Sequence, residues 1–576
     1  MSELSGWDRE VDVLVVGTGN GGLTAAICNW EMGAKDVLII EKSDKVGGTS
    51  ATSGGGIWVP CSHYAQDAGA EDNLEDAKAY LRNTLFGEDV PEEMIDAYLE
   101  NGPRMLRFLH DRTDVRYESL EHYPDYYTNV EGARAGHRSL EPAPFMVSEL
   151  GADFKRMTWT HHMMRLFGVI HFTQVEAHVL MVQLPGWKKL AWNMIKDYAI
   201  DIPWRFKSKI SRRLACGSAG VGRLYLSVKK RAIPIQFETR LVELIAEDNR
   251  IVGAIVEVGG QRQRIHARKA VVLAAGGFEK NQQLRETYLP APTNIEWSAG
   301  NPGNEGDALL AGLAVGAKTR LMNDAWWTTT LCVPDEPTPR LSIMEKSFPG
   351  SCVVNKAGQR FANESQNYMA FQKELFKAHS DENPCAPAYH IFDARFRRNY
   401  IVGPMMTAAM KPDWMLPKKW FDTGFVAKAE SIEALAQQLG IDATGLASTV
   451  AKMNHYAQTG VDEAFGRGES AYDRYYADPA IKPNPCLAAI DEAPFYAMRI
   501  EAGDFGTLGG LDTDIHAQVK VVDGNHFQGL YAVGNCSAAI LPTYPGPGAT
   551  LGPAMTMAYQ AAKHINSYDD SGEIHA

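Results

Sequence analysis

Paired or clustered cysteines are missing from this chain of 576 residues. Its eight cysteines are scattered, and none of them forms a CxxC pair, a CxxCH motif or a closely spaced run. This distribution argues against a disulfide framework, a zinc site, a c-type haem and an iron–sulfur cluster. It is typical of a reducing compartment, and we therefore expect a cytoplasmic protein.

Long apolar runs are missing as well. No uninterrupted stretch reaches the roughly 18 residues of a transmembrane helix, and the first ten residues lack the apolar region of a signal peptide. The net charge of -13 argues against nucleic acid as a partner, because nucleic-acid binding needs a basic face. The fractions of hydrophobic residues (45%) and charged residues (22%) are ordinary for a globular enzyme.

The N-terminus carries a complete dinucleotide-binding pattern. An apolar run over residues 11–16 leads into a GxGxxG motif made by Gly17, Gly19 and Gly22. A predicted helix follows, and then a second apolar strand that ends in Glu41. In this βαβ setting the glycines permit a tight turn, a close approach to a pyrophosphate and close packing of helix on strand. We expect the pyrophosphate at the helix N-terminus and a ribose hydroxyl on Glu41.

A second glycine-rich loop favours FAD over NAD. Residues 42–60 contain two clusters of glycine, serine and threonine, and apolar strands are predicted at 271–278 and 529–535. This arrangement resembles the FAD-binding enzymes of the fumarate reductase and 3-ketosteroid dehydrogenase superfamily. We find no second dinucleotide motif for NAD(P)H and no CxxxxC redox pair. Because residues 42–60 hold no histidine for a covalent link, we expect the FAD to be noncovalent.

The FAD-binding residues are predicted from these segments. They are Gly17, Gly19, Asn20, Gly21, Gly22, Glu41, Lys42, Gly47, Gly48, Thr49, Ser50, Ser53, Gly54, Gly55, Val242, Ala275, Gly276, Gly534, Asn535 and Leu551. A C-terminal helix is predicted to begin near Pro553, a residue type that suits a first helical turn. By resemblance, the backbone of Leu551 and Gly552 lines the pyrimidine edge of the flavin, where the positive helix end favours the anionic reduced form.

We expect an α/β fold: a Rossmann-like FAD-binding domain with an inserted α+β catalytic (cap) domain, as in the fumarate reductase flavoproteins. One core rarely grows beyond roughly 250–300 residues, so a chain of this length needs at least two domains. The FAD-binding domain is predicted from residues 1–110, 215–300 and 495–576, and the catalytic domain from 301–494. Residues 111–214 form a segment on the substrate side.

A basic insert is predicted at about residues 150–231. Residues 185–231 contain twelve basic and two acidic side chains, a local charge of +10 in an acidic chain. Trp187, Trp192 and Trp204 are interleaved with them. This composition predicts a basic amphipathic helical insert that lies on a membrane surface, here the inner face of the cell membrane. A surface subdomain with a solvated basic face is the alternative.

Three cationic positions that hold a dicarboxylate in fumarate reductases are changed in this chain. Their R-F-x-N-E motif is present at residues 360–364, but Tyr368 stands at the position of the arginine that follows it. Gly506 replaces the histidine of their H-T-x-G-G motif, and Thr550 lies where the second arginine is expected. Because a carboxylate needs such bidentate partners, the resemblance implies a neutral substrate.

The residues found instead resemble those of the 3-ketosteroid Δ1-dehydrogenases. The Y-P-G-x-G motif of that family is Tyr544-Pro545-Gly546-Pro547-Gly548 here, its P-D-Y-Y motif is Pro124-Asp125-Tyr126-Tyr127, and its later tyrosine is Tyr368. The resemblance implies that the Tyr544 hydroxyl and the Gly548 N–H polarise the C3 carbonyl of a 3-oxo-Δ4 steroid. Tyr368, with Tyr126 beside it, then removes a C2 proton, and the C1 hydride passes to flavin N5. The product is a 3-oxo-Δ1,4 steroid.

Within that family the chain is most similar to a cholest-4-en-3-one Δ1-dehydrogenase, which implies a sterol substrate with an intact side chain. Electrons must leave to an external acceptor, a quinone or a separate carrier, because no haem or iron–sulfur motif is present. Three alternatives remain at this stage: a 3-ketosteroid Δ4-(5α)-dehydrogenase, a fumarate reductase-like flavoprotein and a noncatalytic flavin-binding membrane protein.

Overall fold

The computed structural model describes residues 6–569. Within this range the strands are β1 (Arg9–Val16), β2 (Val37–Ile40), β3 (Ile57–Trp58), β4 (Tyr117–Ser119), β5 (Ser139–Pro142), β6 (Phe145–Met146), β7 (Arg165–Leu166), β8 (Ile170–His171), β9 (Arg213–Leu214), β10 (Ile235–Gln236), β11 (Thr239–Glu247), β12 (Arg250–Val258), β13 (Gln261–Leu273), β14 (Thr319–Arg320), β15 (Ala325–Leu331), β16 (Arg340–Leu341), β17 (Ser351–Val354), β18 (Ala388–Phe392), β19 (Val426–Ala429), β20 (Phe495–Thr507), β21 (Gly510–Leu511), β22 (Gln518–Lys520) and β23 (His526–Ala532).

Helices occupy much of the remaining chain in the same range. They are α1 (Asn20–Glu31), α2 (Gly48–Thr52), α3 (His63–Asp67), α4 (Leu74–Asn83), α5 (Glu92–Arg112), α6 (Gln174–Met181), α7 (Trp187–Ile200), α8 (Ile202–Arg205), α9 (Cys216–Lys230), α10 (Gln282–Tyr288), α11 (Asp307–Ala314), α12 (Tyr368–Ala378), α13 (Ala394–Asn399), α14 (Lys418–Asp422), α15 (Ile432–Leu439), α16 (Ala443–Thr459), α17 (Ala471–Tyr475) and α18 (Leu551–Asn566). The C-terminal helix thus begins at Leu551, two residues before the predicted start.

The first sheet contains eight strands in the order β10-β2-β1-β13-β12-β23-β22, with β11 paired to β12. Its centre is parallel, since β1 lies between β2 and β13, and β13 also pairs with β23. The parallel strands β1 and β2 are buried apolar runs, because helices cover both faces of such a sheet. The carboxyl ends of β1, β13 and β23 lie at one edge, where open α/β sheets bind ligands.

The second sheet contains six strands in the order β16-β15-β20-β18-β17, with β19 also paired to β20. Strand β20 runs through its centre and is antiparallel to β15 and β18. The boundary predicted at residue 494 is therefore corrected, because the second domain extends through β20. The chain rejoins the first sheet only at β22.

A fully buried ion pair joins the end of β20 to the first domain. The Arg285 guanidinium donates to the Asp504 carboxylate at 2.7 Å, and both side chains are 0% exposed. The other carboxylate oxygen of Asp504 accepts from the Ser298 hydroxyl at 2.7 Å. Asp504 thus fixes the position of the next residues of β20, Phe505 and Gly506.

The basic segment 185–231 does not form one basic face. Four of its twelve basic residues pair with acids outside it: Arg213 with Glu176, Lys229 with Asp153, Lys230 with Asp114, and Arg231 with Glu31. Helix α9 is largely buried and packs against α1 and α2. The insert predicted to reach residue 231 therefore ends before α9. Its helical part consists of α6, α7 and α8.

None of the helices within residues 6–569 combines the length and the apolar character needed to cross a bilayer.

We expect Asp504→Ala to lower the free energy of unfolding by about 3–5 kcal/mol, because the buried Arg285 charge loses its carboxylate partner. Urea denaturation followed by circular dichroism measures the change. Glu243→Ala is the matched control, since the Arg262–Glu243 pair is 53% exposed on both sides and should contribute less than about 1 kcal/mol. Equal midpoints for the two variants would contradict the role assigned to the buried pair.

Candidate active site

A large cavity of about 1320 Å³ lies at the carboxyl edge of the first sheet. Its wall includes the GxGxxG loop, the second glycine-rich loop, five buried tyrosines and apolar side chains of the insert. A dinucleotide cradle and a candidate substrate site are therefore parts of one continuous space.

The GxGxxG loop has no room for side chains. A Cβ atom on Gly17 would lie 2.4 Å from the Ala274 carbonyl oxygen, and one on Gly22 would lie 2.1 Å from the Gly17 carbonyl oxygen. Helix α1 follows with Gly19 as its N-cap and with no side chain capping its first turn. The free N–H groups of that turn suit a pyrophosphate, because they and the helix dipole favour negative charge.

Glu41 follows the end of β2, and hydrogen bonds from neighbouring residues fix its carboxylate at the cavity wall. Its carboxylate accepts from the Thr18 hydroxyl at 2.5 Å, from the Thr18 N–H at 3.1 Å and from the Ser43 N–H at 2.9 Å. Lys42 also lines the cavity, but its ammonium is paired with Asp307 at 2.9 Å and Glu305 at 3.1 Å. Any contact of Lys42 with a cofactor would therefore compete with these two carboxylates.

Most of the predicted cofactor residues line the cavity. They are Gly17, Gly19, Asn20, Gly21, Glu41, Lys42, Gly48, Thr49, Ser50, Ser53, Gly54, Gly55, Ala275, Gly276, Gly534, Asn535 and Leu551. Gly22, Gly47 and Val242 do not belong to that wall. Gly22 and Gly47 lie at tight backbone contacts instead, and Thr239 and Leu241 line the cavity beside Val242.

Three tyrosines from distant parts of the chain meet at the cavity wall. The ring centroids of Tyr126, Tyr368 and Tyr544 are 5.5 to 5.6 Å apart in all three pairs. All three side chains are buried and all three line the cavity. The structure thus brings together the three tyrosines that the sequence predicts to be catalytic.

The loop that carries Tyr544 is fixed by hydrogen bonds to its backbone. Tyr544 itself has a φ of 57°, which is unfavourable for a residue with a side chain, so the surroundings must hold it. Two donors bind the Pro545 carbonyl oxygen: the Tyr126 N–H at 2.8 Å and the Tyr80 hydroxyl at 2.5 Å. The Ser139 hydroxyl donates to the Pro547 carbonyl oxygen at 2.9 Å, and the Trp58 N–H donates to the Gly548 carbonyl oxygen at 3.2 Å.

Gly548 must be a glycine at this point of the loop. Its φ is +98°, and a Cβ atom would lie 2.4 Å from the Ile57 Cα atom. Gly548 and Tyr544 both line the cavity, so a backbone donor and a phenol donor belong to the same wall.

Burial raises the pKa of all three phenols. The pKa values of Tyr126 and Tyr368 lie well above the usual 10, and that of Tyr544 is also raised, although the neighbouring Tyr368 and Gly548 oppose the shift. All three hydroxyls are therefore protonated at neutral pH. This suits Tyr544 as a donor, whereas Tyr368 can act as a base only if its own proton has somewhere to go.

The R-F-x-N-E motif positions Tyr368 rather than contacting the cavity. The Arg360 guanidinium pairs with Glu364 and with Asp462, each at 2.7 Å, in the protein interior. The Asn367 side chain then accepts from the Ala370 N–H at 2.9 Å and caps helix α12, of which Tyr368 is the first residue.

Gly506 leaves no space for the histidine that fumarate reductases carry there. A Cβ atom would lie 2.4 Å from the Asn535 amide nitrogen and 3.3 Å from the Trp326 ring. The Trp326 indole N–H donates to the Asn535 side-chain oxygen at 3.1 Å, so this amide is held in place.

Aromatic residues that the motifs do not contain complete the site. Tyr123, Tyr472, Phe505 and Trp326 are in ring contact with members of the tyrosine trio. No motif in the sequence points to these residues. The one hint is a local enrichment in tyrosine, with three tyrosines within residues 472–476. The insert supplies further wall residues, among them Met163, Met164, Leu180, Met181, Trp187, Ala191 and Ile195.

The sequence profile of the FAD binding domain family matches residues 12–551, so the chain belongs to this family of flavoproteins and FAD is its cofactor. The glycine cradle described above fits that cofactor.

Two close relatives refine the family. The chain is 37% identical to a 3-oxosteroid 1-dehydrogenase of Mycobacterium tuberculosis, over 97% of this chain and 98% of the relative. It is 41% identical, with a TM-score of 0.93, to a solved 3-ketosteroid delta1-dehydrogenase from Sterolibacterium denitrificans in complex with 1,4-androstadiene-3,17-dione. That match covers 97% of this chain and 100% of the other. The predicted membership of the 3-ketosteroid Δ1-dehydrogenase family, which consists of FAD-dependent oxidoreductases, is confirmed.

A more distant structure agrees on the fold alone. The open conformation of a flavocytochrome c3 fumarate reductase is 20% identical and has a TM-score of 0.62, over 98% of this chain and 79% of the other. The predicted fumarate reductase-like fold is therefore confirmed.

We expect Gly22→Ala to lose FAD, because the new Cβ atom would push helix α1 away from the turn at Gly17. The ratio of flavin to protein absorbance in the purified variant measures this loss. Ala25→Gly, one turn further along the same helix, is the control and should keep FAD despite a helix cost of about 1 kcal/mol. A Gly22→Ala protein with full flavin content would show that the close contact is not required.

Proposed function

We propose that this chain is an FAD-dependent 3-ketosteroid Δ1-dehydrogenase, which converts 3-oxo-Δ4 steroids into 3-oxo-Δ1,4 steroids. The observation that carries the proposal is the trio of Tyr126, Tyr368 and Tyr544 at the wall of a cavity that continues into the FAD cradle. The names of the two close relatives support the same reaction.

Tyr544 and Gly548 polarise the substrate ketone. Both residues line the cavity, where the phenol O–H and the backbone N–H can donate to the C3 carbonyl oxygen. Each donor to a developing oxyanion contributes roughly 3–4 kcal/mol to the transition state. Their stabilisation of negative charge on O3 acidifies the hydrogen on C2.

Tyr368 receives the C2 proton, assisted by Tyr126. Tyr368 is buried, and its ring contacts that of Tyr126 at a centroid distance of 5.5 Å, so Tyr126 is the neighbouring phenol to which its own proton would pass. FAD, when bound, supplies the acceptor for the C1 hydride. An external quinone or carrier then takes the electrons.

The surroundings of the trio favour a neutral substrate over a dicarboxylate. The rings that contact it, Tyr123, Tyr472, Phe505 and Trp326, are uncharged. Arg360 is committed to Glu364 and Asp462, and Gly506 has no space for a histidine. These features speak against fumarate reduction.

The insert supports a sterol with an intact side chain, such as cholest-4-en-3-one. Its helices α6 and α7 contribute apolar side chains to the cavity, including Met181, Trp187 and Ile195, so the cavity extends well beyond the tyrosines. Apolar walls of this kind favour a long hydrocarbon chain over a C17 ketone.

The outer surface of the same helices supports contact with a membrane. Trp192 is 65% exposed and Phe206 is 89% exposed, and Ile200 and Ile202 are also exposed. Lys188, Lys189 and Lys207 are exposed nearby in the sequence. Exposed aromatics beside lysines suit the surface of an anionic bilayer, where sterols reside.

Anaerobic mixing of the holoenzyme with 3-ketosteroids tests the proposed reaction. We expect cholest-4-en-3-one to bleach the flavin absorbance, and to do so faster than androst-4-ene-3,17-dione. NMR of the product should show the new double bond at C1–C2. If the enzyme instead introduces a C4–C5 double bond into a saturated 3-ketosteroid, the Δ4-(5α)-dehydrogenase alternative is supported. If no 3-ketosteroid bleaches the flavin, the assignment as an enzyme is refuted.

Tyr544→Phe should reduce turnover by about 100-fold, because one donor to O3 is lost while the ring stays. Tyr368→Phe should reduce it at least as much, and both proteins should keep FAD. Tyr64→Phe, whose hydroxyl bonds His110 at 2.8 Å outside the cavity, is the control. Wild-type rates in either site variant would overturn the assigned role.

We expect the double substitution of Trp192→Asp and Phe206→Asp to reduce binding to anionic vesicles about tenfold or more. Both side chains are exposed, so turnover of detergent-dispersed steroid should change little. Val522→Asp, at a side chain 73% exposed in the first domain, is the matched control in the same sedimentation assay. Unchanged vesicle binding would rule out α7 and α8 as the membrane contact.

A further inference from the structure

The side chain of Gln174 connects the insert to the second glycine-rich loop. Its amide nitrogen donates to the Gly54 carbonyl oxygen at 3.3 Å. A Cβ atom on Gly56 would lie 3.0 Å from the same nitrogen and 3.9 Å from the Pro547 carbonyl oxygen. All four residues line the cavity. The Gln174 amide therefore lies where the glycine-rich loop meets the loop that carries Tyr544.

The backbone of Gln174 is itself fixed in place. Gln174 is the first residue of helix α6, and its N–H donates at 2.6 Å to the buried carboxylate of Glu141. Glu141 belongs to β5, which pairs with β3, and β3 begins directly after Gly56. Thr173 and Glu176 form a capping box around the same helical turn. The side-chain amide therefore extends from a backbone that is bound to the small sheet into which the glycine-rich loop leads.

The peptide unit between Gly54 and Gly55 is held at both of its polar groups. Its carbonyl oxygen accepts from Gln174, and its N–H donates to the Ser53 hydroxyl at 3.0 Å. A peptide unit is planar, so hydrogen bonds on both of its polar groups fix its orientation. Glycine permits many backbone conformations, which leaves the choice of orientation to these partners. Ser53 adjoins the unit in sequence, whereas Gln174 reaches it from a distant segment.

We propose that Gln174 is a positioning residue for the flavin, which it serves by orienting the Gly54–Gly55 peptide in the wall that receives FAD. The inference rests on the proposed function and on the FAD-binding role predicted for Gly54 and Gly55. Oriented backbone amides act as fixed partial charges, and such charges tune how readily a flavin takes electrons. Loss of the Gln174 amide frees the Gly54 oxygen to turn toward the cavity, where it opposes the negative charge that FAD gains on reduction.

The test measures the two-electron midpoint potential of FAD in the holoenzyme, by reduction against dyes of known potential and without any steroid. We expect both Gln174→Ala and Gln174→Met to make reduction of the flavin about tenfold less favourable, which corresponds to a potential about 30 mV lower. Methionine keeps the length of the side chain but has no N–H donor. The rate of flavin bleaching by saturating cholest-4-en-3-one should fall as well, because hydride transfer loses driving force.

Gln183→Ala is the matched control from the same insert. The Gln183 amide also donates to a backbone carbonyl oxygen, that of Asn399 at 3.0 Å, but Gln183 lies outside the cavity wall. We expect this variant to keep the wild-type potential.

A wild-type potential in folded Gln174→Met would overturn the proposal, even if Gln174→Ala were shifted, because the side chain would then act by packing alone. An equal shift in Gln183→Ala would also overturn it. Weaker retention of FAD by Gln174→Met than by Gln183→Ala would support the same positioning role. These measurements need no substrate, so they are separate from the proposed function, which fails if no 3-ketosteroid bleaches the wild-type flavin.

Discussion

The active site depends on the contacts of one buried tryptophan, Trp58. Its backbone N–H donates to the Gly548 carbonyl oxygen, and its indole N–H donates to the Asp125 carboxylate at 2.7 Å. Its carbonyl oxygen accepts from the Tyr98 hydroxyl. A Cβ atom on Gly546 would collide with the indole at 2.4 Å. Through this residue the Tyr544 loop, the Tyr126 loop and helix α5 share one fixed position, so two of the three tyrosines cannot move independently.

Asp125 extends this arrangement as a buried charge. Burial raises the pKa of Asp125 to about 6, although Arg138, the Trp58 indole and the Arg134 N–H oppose the shift. Arg138 is itself bound to Asp72 at 2.8 Å and to Asp125 at 2.9 Å. A buried pair of this kind contributes little net stability but penalises any arrangement that separates its members, and so it fixes one geometry.

The insert has one surface that lines the cavity and another that is exposed to solvent. Its inner side closes the cavity with Met181, Trp187 and Ile195, and its outer side exposes Trp192 and Phe206. Its N-terminal helix is anchored by Glu141, whose buried carboxylate accepts from the Gln174 N–H at 2.6 Å. The segment that would meet a membrane is therefore also a wall of the space that would hold the steroid, and a sterol would have a short path between them.

The sequence by itself determined the cofactor and the family, and it predicted the three tyrosines that meet at the cavity wall, because these rest on local motifs. Gly17, Gly19 and Gly22 encode a backbone shape within six residues, and Tyr544 to Gly548 do so within five. The tertiary structure alone decided the relations between distant segments. Tyr123 and Tyr476 bond across 353 positions, β20 joins the second sheet beyond the predicted boundary, and the acids that neutralise Arg231 and Lys230 lie far away in sequence. Packing and ion pairing depend on distance in space, which a linear pattern of residue types does not contain.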